Sequence, residues 1–70
     1  MSLQQLFDTN KLQGEWRIHN VYGEFLFSIY AQTGNVTEVQ DDTVFADLDY
    51  WLSCDIDCIN SYGDIYLTDE

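Results

Sequence analysis

The chain has 70 residues, 46% of them hydrophobic, with 13 acidic residues against 2 basic ones and a formal net charge of -11. Two Trp, five Tyr and four Phe make it too apolar and aromatic for an acidic disordered tail, and its length suits one domain over residues 1–70. No run reaches the roughly 18 apolar residues of a membrane span, and Met1 to Asn10 lack the basic start and apolar run of a secretory leader, so a cytoplasmic protein is expected.

Ser2 is placed to cap a short helix, with Gln5 completing a capping box and Leu3, Leu6 and Phe7 forming an apolar stripe. Asn10 and Gly14 bracket its end. Gly14 to Tyr22 then alternates as a strand does, with Trp16, Ile18, Asn20 and Tyr22 on one face and Glu15, Arg17, His19 and Val21 on the other. A tight turn on Gly23 leads into Phe25, Phe27, Ile29 and Ala31 facing one way and Leu26, Ser28 and Tyr30 facing the other. Trp16, Phe25 and Phe27 are expected in the core. Thr33, Gly34 and Asn35 signal a second turn, and Val36 to Gln40 a third short strand that Asp41 and Asp42 interrupt.

Thr43 to Ile59 admits two readings. With period two, Leu48, Tyr50, Leu52, Cys54, Ile56 and Cys58 share one face and Asp47, Asp49, Trp51, Ser53, Asp55 and Asp57 the other. With period 3.6, Phe45, Leu48, Leu52, Ile56 and Ile59 form a stripe, the alternative being a helix at 44–59. The strand is preferred, because this composition suits a helix interior poorly and aspartates at a helix C-terminus oppose its dipole. After a turn at Asn60 to Gly63, Asp64 to Thr68 makes a last strand with Ile65 and Leu67 inward. The expected fold is α+β, a small antiparallel sheet of about four to five strands with a short N-terminal helix.

Asp8 and Glu15 balance Lys11 and Arg17, and no lysine or arginine follows Arg17, so the whole net charge falls on Ile18 to Glu70. Such self-repulsion is relieved by salt or by a docked cationic surface, which points to a basic partner. Bare nucleic acid and anionic membranes would be repelled. Along a strand, side chains at i and i+2 share a face roughly 6.8 Å apart, close to the phosphate separation along a nucleic acid backbone. Asp47 with Asp49, and Asp55 with Asp57, would each form such a pair, with Trp51 between them as an aromatic anchor. The expected partner-binding set is Asp47, Asp49, Trp51, Asp55, Asp57, Asp64 and Tyr66, directed at a basic nucleic-acid-binding protein or complex.

In its size, its lysine-free stretch and its repeats Asp47-Leu48-Asp49 and Asp55-Ile56-Asp57, the chain resembles, at class level, the small acidic inhibitors of bacteriophages and mobile elements that mimic nucleic acid against restriction enzymes or CRISPR effector complexes. The likeness covers composition and character across the chain, without a family motif to align. It implies an anti-CRISPR or anti-restriction inhibitor of host defence, working in the host cell cytoplasm. Two alternatives stay open: an immunity protein or antitoxin against a basic nuclease, and a non-catalytic structural or regulatory phage protein. A homodimer through an edge strand also fits.

Chemistry is poorly represented. His19 is the only histidine, has no nucleophile spaced to pair with it, and shares a face with Arg17 and Glu15 as an ordinary surface residue would. Cys54 and Cys58 are expected to be reduced and buried; on one strand their sulfurs would stand about 13 Å apart, too far to share a zinc ion, whereas in a helix they would sit one turn apart and that objection fades. The aspartates do not follow a calcium-loop pattern, and Gly14, Gly23, Gly34 and Gly63 stand singly at turns rather than in a phosphate loop. No catalytic, cofactor or metal site is expected, and the chain is not expected to be an enzyme.

Overall fold

The capping box forms as the sequence dictates. In the opening helix α1 (Leu3–Asn10) the Ser2 side chain accepts from Gln5 N and the Gln5 side chain accepts from Ser2 N, while Leu3, Leu6 and Phe7 are buried. The computed structural model describes residues 1–68. After α1 come β1 (Gly14–His19), β2 (Phe25–Gln32), β3 (Asn35–Val39), α2 (Asp42–Ala46), α3 (Leu48–Ser53), β4 (Ile56–Ile59) and β5 (Asp64–Leu67).

The five strands lie in the order β3-β2-β1-β5-β4. The α+β class and the short N-terminal helix stand as expected, but the sheet is mixed rather than wholly antiparallel, because β1 and β5 run parallel, with Ile18 opposite Ile65. The physical reason is the crossover: α2 and α3 carry the chain to the far edge, so the β4–β5 hairpin folds back with β5 beside β1.

Alternation along these strands gives the sheet two unlike faces. One carries Ile18, Phe27, Ile29, Ala31, Val39, Ile65 and Leu67, buried with Leu3, Leu6 and Phe7 of α1 and Val44 of α2. Leu48, Trp51 and Leu52 of α3 complete the cover. Truncating a ring as enclosed as Phe7 to alanine would cost about 3–5 kcal/mol. The other face follows the opposite parity: Glu15 lies across from Tyr30, Arg17 from Ser28 and Asp64, and His19 from Tyr66. At the edge of the helical layer, Gly34 has φ +85°, and a Cβ there would meet Phe7 O at 2.8 Å, so only glycine lets the β2–β3 turn close onto α1.

Two sequence expectations about the core change. Phe27 is buried and Trp16 packs against the core, but Phe25 is 58% exposed. A bulge shifts the register between Ile18 and His19, so that Phe25 pairs with His19 and leaves the apolar face. Of the two cysteines expected to be buried, Cys54 is partly buried, but Cys58 is exposed, on edge strand β4 opposite Tyr66.

The segment Thr43 to Ile59 takes neither proposed form in full. Asp41 caps α2 by accepting from Thr43 N and Val44 N at 2.9 and 3.2 Å, and the chain bends at Asp47 into α3. Cys54 is extended, and β4 begins at Ile56. The dipole objection to a helix disappears because α3 stops at Ser53, before Asp55 and Asp57, leaving Asp42 and Asp49 in first turns where negative charge is favourable.

Two hairpin turns share one design. In Asn20-Val21-Tyr22-Gly23-Glu24, Asn20 Oδ1 accepts from Tyr22 N and Glu24 N, both at 2.9 Å. In Asn60-Ser61-Tyr62-Gly63-Asp64, Asn60 Oδ1 accepts from Tyr62 N and Asp64 N at 2.9 and 3.1 Å. The glycines have φ of +85° and +92°, and the tyrosines project into solvent. Each turn is an Asn-clamped loop that needs glycine at its fourth place.

Candidate partner-binding surface

Among the described residues every acidic side chain is exposed except Asp64. That exception is built by the second Asn-clamped turn, which delivers Asp64 to the start of β5, directly beside Arg17 on β1. Arg17 Nε donates to Asp64 Oδ1 at 2.8 Å and Arg17 Nη2 to Tyr62 O at 2.6 Å. His19 Nε2 lies 3.0 Å from the same Oδ1, and Asn60 Nδ2 donates to Oδ2 at 3.3 Å. Hydrogen bonds from Arg17 first, then His19 and Asn60, hold the Asp64 carboxyl well below the usual carboxylate range, and the same contact raises the Arg17 guanidinium.

Tyr66 extends this cluster by stacking on His19, with ring centroids 4.8 Å apart, and Phe25 meets His19 edge-on at 5.9 Å. Among the described residues His19 Nδ1 is enclosed without a hydrogen-bond partner, and Nε2 is engaged by Asp64. Nearby, Tyr30 donates to Glu15 Oε2 at 3.0 Å, a bond that raises the Tyr30 phenol.

The remaining expected residues lie elsewhere. Asp47 occupies the bend between α2 and α3 and makes no side-chain capping bond, while Asp49 sits in the first turn of α3. Because this stretch is helical, the pair does not share one strand face at the anticipated spacing. Trp51, anticipated as an exposed anchor, is half-buried: its ring packs edge-on to Phe27 at 5.1 Å and to Tyr50 at 5.3 Å. Asp55 bridges to Ser2, its Oδ1 3.9 Å from the Met1 amino group. Asp57 is exposed where the β4 register shifts.

The expected set is therefore divided. Asp47 and Asp49 lie together on a shoulder formed by α2 and α3, Asp55 and Asp57 lie along the start of β4, and Asp64 and Tyr66 belong to the sheet-face cluster. Sequence reasoning did not find that cluster, whose partners are 45 and 47 residues apart. The repeated Asn-X-Tyr-Gly-acid string was the available signal, since it marks Asp64 as the end of a clamped turn.

Comparison with protein-family models, curated proteins and solved structures finds no match to this chain. Among the described residues no helix is long and apolar enough to cross a membrane.

Proposed function

We propose that the chain is a non-catalytic acidic inhibitor that occupies the DNA- or RNA-binding surface of a basic bacterial defence complex, a CRISPR effector or restriction enzyme, in the host cell cytoplasm. One observation carries this reading. Arg17, after which the sequence has no lysine or arginine, is tied to Asp64, and the exposed carboxylates of α2, α3 and β4 stand with no lysine or arginine among them. A surface of this kind attracts cationic grooves at long range and repels nucleic acid itself. Exposed apolar groups such as Phe45 and Tyr50 add contact area that salt does not screen.

The test is capture of partners by the tagged protein from a bacterial lysate, with washes of increasing salt. A nucleic-acid-processing complex should be retained at low salt and released by added DNA or RNA. Charge reversal at Asp47 and Asp49 should weaken capture more than equal reversal at Asp8 and Glu15. Retention of a partner that nucleic acid does not displace would overturn the reading.

A further inference from the structure

The bend at Asp47 creates a feature that acidity alone does not explain. Phe45, Ala46, Asp47, Leu48, Asp49 and Tyr50 line a shallow depression of about 250 Å³ on the α2–α3 shoulder. A second, of about 300 Å³, lies among Ser2, Gln4, Asp49, Leu52 and Ser53. Asp49 borders both, so the two adjoin. Phe45 and Tyr50 are 60% and 53% exposed, although Val44 and Trp51 beside them turn toward the core.

We propose that this shoulder is an anchor for an arginine side chain of a partner protein, the guanidinium lying against Phe45 or Tyr50 while Asp47 and Asp49 accept its N–H groups. The proposal rests on the reading above that the partner is basic, and it adds which cation is taken and where. Each depression is at or below the lower end of the roughly 300–1,000 Å³ typical of small-molecule pockets, a size suited to one side chain. Neither lining holds a lysine or arginine, and the charged side chains lining them are the carboxylates of Asp47 and Asp49. Aromatic rings beside carboxylates distinguish between cations: a guanidinium is planar, weakly hydrated, stacks on ring faces and offers forked donors, whereas an ammonium is a compact and strongly hydrated point charge. The sheet face is less suited to this, because Phe25 and Tyr66 pack on His19, Asp64 already holds Arg17, and Glu15 accepts from Tyr30.

Nona-arginine and nona-lysine peptides titrated separately into the isotope-labelled protein, followed by two-dimensional NMR, test the assignment. The arginine peptide should bind several-fold tighter than the lysine peptide at the same salt, with the largest amide shifts at residues 45–50. Phe45→Ala with Tyr50→Ala should remove that preference and leave weaker charge-driven binding to both peptides; Asp49→Asn should weaken both. Should the double variant not fold, Phe45→Leu keeps an apolar side chain and removes one ring. Equal affinity for the two peptides, or shifts centred away from the shoulder, would overturn the anchor. An arginine preference at residues 45–50 without displacement of captured partners by DNA or RNA would sink only the mimicry reading, and displacement without the preference would sink only the anchor.

Discussion

The sheet face and the α2–α3 shoulder both present aspartates, yet they are opposite electrostatic environments. At the sheet face, Asp64 is surrounded by donors from β1 and from its own turn, and its charge is spent inside the fold. At the shoulder, Asp47 and Asp49 make no ion pair among the described residues, and Asp47 makes no side-chain cap to the helix it precedes. Aspartate density in the sequence is therefore a poor guide to outward field. What matters is which carboxylates the fold neutralises, and here a strand pairing of long sequence separation places Asp64 beside Arg17.

The sharpest way to break this contrast is at Trp51, which joins the shoulder to the core through Phe27. If Trp51 is a pillar, Trp51→Ala should cost about 2–3 kcal/mol, somewhat below the roughly 3–5 kcal/mol of a fully buried ring. At about 4–8 °C per kcal/mol for a domain of this size, a melt followed by circular dichroism would show a fall well beyond error. An unchanged melting temperature would return Trp51 to the role of a surface anchor.

Asp64→Asn should have the next largest effect, and it carries a pH signature. The folded-state pKa of Asp64 is depressed, so its contribution to stability is present above the ordinary aspartate value of about 3.9 and is lost as pH falls below it toward the folded-state value. The wild type should therefore melt above Asp64→Asn at pH 7, and the gap should narrow on acidification below about pH 4. The difference between the two proteins is the informative quantity, because protonating the exposed carboxylates relieves repulsion in both. A gap that stays constant down to pH 2 would show that the cluster's contribution is not electrostatic.

Local signals in this chain were legible and long-range ones were not. The Ser2–Gln5 capping box and the turns on Gly23 and Gly34 depend on a few neighbouring residues, and each forms as expected. Thr43 to Ile59 was ambiguous for a geometric reason: Leu48, Leu52 and Ile56 are four apart, a spacing that satisfies both strand and helix periodicity. The Asp41 cap, which breaks the tie in favour of helix at its start, was read only as an interruption of the preceding strand. Phe25 was misplaced because a bulge depends on the partner strand, and the parallel β1–β5 pairing because it depends on where the crossover ends. At the candidate site, the acidic residues were legible as types; their division follows from the α2–α3 helices, which put Asp47 and Asp49 on the shoulder, and from the β1–β5 pairing, which puts Asp64 on the sheet face.

The smallest expected effect is also the one that separates surface charge from structural charge. Asp47→Asn and Asp49→Asn remove carboxylates with no ion-pair partner among the described residues, so each should change stability by no more than about 0.5 kcal/mol: Asp47→Asn in the stabilising direction as repulsion is relieved, and Asp49→Asn nearer to neutral, because it also gives up a charge that is favourable in the first turn of α3. Added NaCl should raise the melting temperature of the wild type, because salt screens that repulsion, and should raise it less for the double variant, which has less to screen. Asp64→Asn should not reduce the salt response in this way, since its charge is matched by Arg17. A melting temperature that is flat or falling with NaCl would mean the carboxylates are compensated in solution, and the shoulder would then lose the uncompensated field that sets it apart from the sheet face.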